Sequence, residues 1–385
     1  MKRVYIEPAW KMHSFYVGLM ANPPPGYEFV ILKSRQEKLY KAASKINYAY
    51  TVLNSIDKII PVNLVKSYNE RFRKPPPEID LTYSFDHLIF RKERWVVDPE
   101  YISLLLSYNV SNFPRYKKSV QKRLESDYCR KIICGTEAAL KTILLNLDCG
   151  NLEKKMEVVK FAVKKKNFVK QFNRDKIKVL FVGSSNIAGE FDIKGGREAI
   201  ETIILLNKMF DNLEFVIRSD VPQDIKDRCR DIGNIRIIDK VIPFADLEME
   251  FMTADIFLLP VHNTPFSVFL EAMSYELPVV TLDSWANPEV ISHEKTGLLV
   301  NKSARIPYYT AYGIPNFGTA AFRESLRTPD PIVVAELAAQ TAKLIEKPEL
   351  RRKLGKAGRA EVENGRFSVE ARKEKLKKVF DEATA

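Results

Sequence analysis

From residue 176 onward, short apolar runs alternate with amphipathic stretches of helical length. Ile177-Lys178-Val179-Leu180-Phe181-Val182 is a β-branched run that stops at Gly183. The pattern then predicts helices over 197–210, 222–231, 245–252 and 267–275, and strands over 213–218, 235–239, 255–260, 278–282 and 296–300. Strands that read as nearly continuous apolar runs, separated by helices, belong to a parallel sheet covered on both faces. The second half is therefore expected to be a doubly wound α/β domain.

The first half shows the same alternation more weakly. Strands are expected over 3–6, 28–32, 58–62, 79–85, 94–97 and 131–134, with helices such as 36–53 and 116–126 between them. Two doubly wound parallel-sheet domains in tandem would place a cleft between their sheet edges, where the carboxyl ends of strands hold ligands. The lysine-rich stretch 151–170 would be the hinge. Residues 301–331 interrupt the pattern with Pro307, Gly313, Pro315, Gly318 and Pro331 and read as a long loop. Two terminal helices are expected over 348–363 and 368–384.

A chain of 385 residues, 45% hydrophobic and 29% charged, is neither disordered nor fibrous. Its best apolar runs, 101–106 and 256–261, fall well short of the roughly 20 residues a bilayer span needs. The start of the chain reaches Glu7 and Pro8 before a signal-type apolar region forms, so export is not expected. Cys129, Cys134, Cys149 and Cys229 have no zinc-pair spacing and read as reduced intracellular thiols. Charge is unevenly spread. Residues 1–175 hold 32 Lys and Arg against 18 Asp and Glu, whereas the rest is close to balanced. The first half is thus suited to an anionic partner, such as a lipid phosphate or membrane surface, although a solvated surface has the same composition. The stretch 101–125 sharpens that reading. It combines Ile102, Leu104, Leu105 and Leu106 with Arg115, Lys117, Lys118, Lys122 and Arg123, so it could rest on an anionic membrane or be an ordinary surface helix. Pro114 is expected to split it.

The densest chemical signal runs from Thr264-Pro265-Phe266-Ser267-Val268 through Leu270-Glu271-Ala272-Met273 to Leu277-Pro278-Val279-Val280. The turn at Pro265 opens a helix whose first N–H groups can meet a diphosphate. One turn on, the Glu271 carboxylate can accept two hydrogen bonds from vicinal sugar hydroxyls. Its other reading, a buried partner for a basic residue, is set second because its neighbours are apolar.

This segment resembles the signature of the retaining glycosyltransferases of family 4, the group 1 glycosyltransferases. Asn287-Pro288-Glu289-Val290, Thr296-Gly297-Leu298-Leu299-Val300, the strand ending Val182-Gly183, and Lys194-Gly195-Gly196 resemble it too, as do Leu350 to Gly355 and Arg366-Phe367-Ser368. The resemblance implies a GT-B architecture, α/β with two Rossmann-like doubly wound domains facing across a cleft. Residues 1–165 would bind the acceptor and 166–365 the nucleotide-sugar donor, while 366–385 would be a helix packing back on the first domain. Glu271 would hold ribose hydroxyls, the backbone of Phe266, Ser267 and Val268 would meet donor oxygens, and the backbone of Val241 and Ile242 would contact the base. Lys194 would neutralise the departing diphosphate, with no metal or other cofactor; its plainer reading is a solvated loop lysine. Glu289 reads as a helix-start residue.

Some residues depart from the pattern. The family's first Glu falls on Asn263 or Thr264, which can hydrogen-bond a sugar but carry no charge. The Arg after the first strand's glycine is Ser184, and Arg218 at the end of the next strand could supply that charge or be a surface arginine. For the acceptor, Asp98 and Glu100 are set slightly ahead of His87, all three at strand ends. The residues after the first strand, Glu7 to His13, lack the family's glycines. His13, His262 and His293 read as structural, and the scattered histidines suggest no metal cluster. The expected activity is that of a cytoplasmic retaining hexosyltransferase acting on a sugar or lipid-linked acceptor, with a peripheral seat on the inner face of a membrane as an accompanying expectation. A sugar-nucleotide epimerase, a phosphorylase, a weakened nucleotide-sugar-binding protein and a nucleic-acid-binding protein are the other readings.

Overall fold

The computed structural model describes residues 1–7, 18, 20–31, 61–72, 74–107, 110–171, 175–184 and 189–385. They form two compact units. One comprises Met1–Ala162, Tyr309–Gly318 and Val369–Ala385, and the other Val163–Tyr308 and Thr319–Ser368.

In the first unit, β1 (Lys2–Glu7), β2 (Tyr27–Val30), β3 (Leu81–Phe85), β4 (Trp95–Asp98), β5 (Cys129–Cys134) and β6 (Met156–Val158) make a parallel sheet in the order β2-β1-β3-β4-β5-β6. Alternate side chains of β4 serve opposite faces, as the pleat requires. Trp95 and Val97 join one core with Phe113, Val120 and Leu124. Val96 joins the other with Tyr83, Phe85 and Phe380. The helices are α1 (Val62–Glu70), α2 (Phe113–Glu125) and α3 (Glu137–Leu144). Thr136 caps α3 by accepting from the Ala139 N–H at 3.0 Å.

One expectation holds and one is corrected here. The segment 101–125 is divided, as expected: a short 3-10 turn spans Ile102–Leu105, and α2 begins at Phe113 with Pro114 in its first turn, where a missing N–H has no partner to lose. Ile102, Leu104, Leu105 and Leu106 are at most 3% exposed, so they belong to the core and cannot rest on a membrane. Residues 58–60 of the expected strand lie outside the described residues, and Val62 instead opens α1. The expected helix 36–53 and residues 8–13 also lie outside the described residues.

The second unit holds β7 (Ile177–Val182), β8 (Leu213–Arg218), β9 (Ile235–Ile238), β10 (Ile256–Leu258), β11 (Val279–Leu282) and β12 (Gly297–Val300), again parallel, in the order β12-β11-β10-β7-β8-β9. Its helices are α4 (Gly196–Asn207), α5 (Gln223–Cys229), α6 (Phe244–Thr253), α7 (Phe266–Ser274), α8 (Asn287–Val290), α9 (Ala320–Ser325), α10 (Pro331–Glu346) and α11 (Pro348–Glu363). β7 is buried at every position, which is why it reads as an apolar run broken only by Lys178, whose ammonium pairs with Glu250 at 2.6 Å.

Residues 301–331 are not a free loop. Tyr309–Gly318 packs into the first unit, where Ile314 is fully buried and the Tyr312 carbonyl accepts from Asn146 at 2.9 Å. Finally α12 (Val369–Thr384) returns to the first unit and sets Phe380 against the rings of Tyr27, Phe29 and Tyr83. No helix among the described residues is long and apolar enough to cross a membrane.

Candidate functional site

The chain leaves the second sheet in opposite directions on either side of the β10–β7 pair, so this is its topological switch point. In such sheets the crevice outside the carboxyl ends of the strands is where ligands bind. Gly183 follows β7 and Pro260 follows β10. Gly195 lies so close to Pro260 that a Cβ would be 2.0 Å from the Pro260 carbonyl oxygen, and its φ of +73° is one glycine adopts freely. This approach brings Lys194 across to the β10 side, where its Nζ donates to Asn263 Oδ1 at 3.2 Å. The His262 N–H, donating to the Ile193 carbonyl at 3.0 Å, fixes the two segments to each other.

Beneath them is a buried polar network. His262 lies 2.8 Å from the Tyr308 hydroxyl through Nδ1 and 3.1 Å from Glu198 Oε1 through Nε2. Thr264 is buried and uses its hydroxyl to accept from the Ala286 N–H at 3.0 Å, so it serves the loop before α8 and offers little to a sugar. Asn287 binds the Val261 and Leu282 carbonyls at 3.1 and 3.0 Å, clamping the ends of β10 and β11 together. The Asn-Pro-Glu turn is thus a fastening, and Glu289 falls inside α8.

α7 starts directly after this strand end. Its Val268 N–H closes onto the Pro265 carbonyl at 3.1 Å, so one of the three amides expected to meet the donor is satisfied within the helix itself. Glu271 is not isolated among apolar neighbours: Lys166 Nζ lies 3.1 Å from its Oε1 and 2.8 Å from Glu248 Oε1, and the Tyr275 hydroxyl donates to the same Glu248 oxygen. Burial pushes the Glu271 carboxyl above its ordinary range, and the Lys166 ammonium acts in the opposite sense. Burial also works against the charge on Lys166, but the hydrogen bond to Glu248 and the charge of Glu271 outweigh it and hold that ammonium above the usual lysine range. The ion-pair reading, set second on the sequence, is thus what the side chain does here. One carboxylate offers about four lone-pair positions, so Oε2 can still serve a hydroxyl.

Val241 is exposed and Ile242 half-buried in the turn between β9 and α6. Phe244, which the sequence reading passed over, is exposed beside them, and Lys166 lies 5.0 Å from its ring centre. Ser184 is half-buried after Gly183, and Arg218 is buried at the end of β8 rather than lying on the surface.

In the first unit the predicted acceptor residues separate. Asp98 is 6% exposed and accepts from the Tyr83 hydroxyl at 2.6 Å; burial raises its carboxyl and the Arg372 charge opposes that rise. His87 is buried as well, its Nδ1 facing the Phe85 carbonyl and its Nε2 2.8 Å from Lys66 Nζ, which makes Nε2 the acceptor. Only Glu100 is exposed. Its N–H donates to Asp86 Oδ1 at 2.9 Å, and burial together with the Glu100 charge lifts the Asp86 carboxyl well above its ordinary range. The carboxyl pair brought together at the ends of β3 and β4 is therefore Asp86 with Glu100. Among the described residues no group of three His, Cys, Asp or Glu side chains could hold a metal ion.

Residues 176–307 match the family described as Glycosyl transferases group 1. No curated protein matches the sequence. Among solved structures, HepE of Anabaena in complex with UDP and glucose is similar with a TM-score of 0.60 at 12% identity, covering 99% of each chain. A sucrose-phosphate synthase from Thermosynechococcus elongatus is similar with a TM-score of 0.59 at 15% identity, over 99% of this chain and 98% of that one. TarM, of S. aureus, gives 0.57 at 16% identity over 82% of this chain but 57% of its own, so the present chain spans little more than half of TarM. Residues 176–307 thus match the group 1 glycosyl transferases, and the chain as a whole has the α/β GT-B fold of two doubly wound parallel sheets.

Proposed function

We propose that the protein is a retaining glycosyltransferase that moves a hexose from a nucleotide-diphosphate sugar to a hydroxyl acceptor. The observation that carries the reading is the meeting of Lys194 with Asn263 at the switch point of the second sheet, next to the first turn of α7. As the anomeric C–O bond to the diphosphate breaks and the acceptor oxygen bonds to the same carbon, negative charge grows on the leaving group. A fixed ammonium and the positive end of a helix lower the energy of that charge. The acceptor hydroxyl proton passes to a diphosphate oxygen or to solvent. Asn263 would orient a sugar hydroxyl and Glu271 Oε2 the ribose, while exposed Val241 and Phe244 with half-buried Ile242 would form an apolar seat for the base.

The acceptor is assigned to the first unit, with Glu100 and Asp86 as its hydroxyl ligands. The basic excess of residues 1–175 favours an anionic acceptor such as a lipid phosphate. With Ile102 to Leu106 in the core, a seat on the inner membrane surface rests on charge alone.

A panel of nucleotide sugars, followed by slow donor hydrolysis without acceptor, tests the reading. Lys194→Ala is expected to cut kcat about 10²- to 10³-fold with a smaller effect on KM. Equal losses in both would remove Lys194 from its role. Binding without any hydrolysis would instead favour a nucleotide-sugar-binding protein, a reading that the uncharged Asn263 keeps open.

A further inference from the structure

Arg218, the last residue of β8, is 8% exposed, and the reading above makes no use of it. Nη1 donates to the Gly183 carbonyl at 3.2 Å, and Nε is buried with no hydrogen-bond partner among the described residues. The guanidinium cannot shed its charge. Burial alone acts on it, pushing its pKa down, with no carboxylate to offset the effect. A buried charge faced by a single neutral carbonyl is unfavourable unless something anionic joins it. Other buried or half-buried arginines of this unit are better served. Arg351 reaches the Leu344 and Ile345 carbonyls and feels Asp255. Arg359 pairs with both Glu276 and Glu363.

Its position narrows the anion. Arg218 is opposite Val182 in the β7–β8 register, and the Gly183 N–H donates to the Arg218 carbonyl at 2.8 Å. The residue therefore stands at the carboxyl edge of the sheet, beside the end of β7. A Cβ on Gly183 would stand 2.5 Å from Ser219 Oγ, so the backbone of this edge is closely packed. A planar fork of N–H donors suits an anion presenting two oxygens.

Resting on the nucleotide-sugar reading, we infer that Arg218 is a second cation for the donor's diphosphate: Lys194 meets it from the β10 side and Arg218 from the β8 side. The same fork would bind free pyrophosphate.

The test measures binding of inorganic pyrophosphate and of UDP by calorimetry, and the unliganded thermal midpoint, in wild type, Arg218→Met and Arg218→Lys. Arg218→Met is expected to weaken both ligands about 10- to 100-fold. It should leave the unliganded midpoint unchanged or higher, because an uncompensated charge has gone. Arg218→Lys should be intermediate, and it carries the comparison if the Met variant does not fold. Equal affinities in wild type and variants, a wild type that binds neither anion, or a lower unliganded midpoint with unchanged binding would each overturn the inference. Pyrophosphate binding that depends on Arg218, without any donor hydrolysis, would keep this anion site and remove the transferase reading. Hydrolysis and UDP binding indifferent to Arg218 would do the reverse.

Discussion

Gly195→Ala tests whether the contact with Pro260 is what assembles the site. At φ +73° an alanine costs about 1–2 kcal/mol relative to glycine. The new Cβ would also have to move from 2.0 Å to beyond 3.0 Å from the Pro260 carbonyl oxygen, a shift of at least about 1 Å. Such overpacking typically costs a further 1–3 kcal/mol or so. Gly189→Ala separates the two contributions, since Gly189 has φ +74° but, among the described residues, nothing within 4 Å of its would-be Cβ. It should lose only the backbone part, about 1.5 kcal/mol, which for a domain of this size is a fall of roughly 3–6 °C in thermal midpoint. Gly195→Ala should fall by roughly 6–12 °C. It should also lose on the order of 100-fold in turnover, because the shift moves Lys194 away from Asn263. Calorimetric unfolding and donor hydrolysis read the two effects. Equal midpoints for the two variants, or full turnover in Gly195→Ala, would refute the reasoning.

Glu271→Gln should weaken nucleotide binding by about 10- to 100-fold, while Lys166→Met should weaken it less at neutral pH and more on acidification. Without the ammonium, burial and the Glu248 charge both push the Glu271 carboxyl up, so it takes up a proton at higher pH; titration calorimetry at several pH values checks this. Burial pushes the Lys170 ammonium down to about 8. Above that pH the folded state binds fewer protons than the unfolded one, so stability should rise with pH from about 8 to about 10, by at most about 1.4 kcal/mol per unit. Denaturant melts of Lys170→Met should lack that rise, and a rise that persists would contradict the assignment.

The second sheet was legible because buried parallel strands leave few polar positions to blur them, and 213–218 and 348–363 fall on β8 and α11 as read. The helix Pro331–Glu346 was missed although its start is written in the sequence. Asp330 caps it by accepting from the Ile332 N–H at 3.1 Å, and Pro331 occupies the first turn. Reading 301–331 as one loop hid both signals. β6 is short, half-buried and set among lysines, so it has no periodicity to detect. The partner of Glu271 was out of reach for another reason. Lys166 comes from a stretch read as a hinge, and no local pattern reports which distant charge will meet a carboxylate.

The first unit is drawn from three separate lengths of chain, and its second core closes on Leu376, Val379 and Phe380. On the ribosome, the strands made earliest must therefore wait until residues past 380 have emerged, whereas the second unit has its whole sheet in hand by Val300. The portion translated later is free to finish first, and the nascent β1–β6 region stays exposed throughout that interval to chaperones and to misassembly.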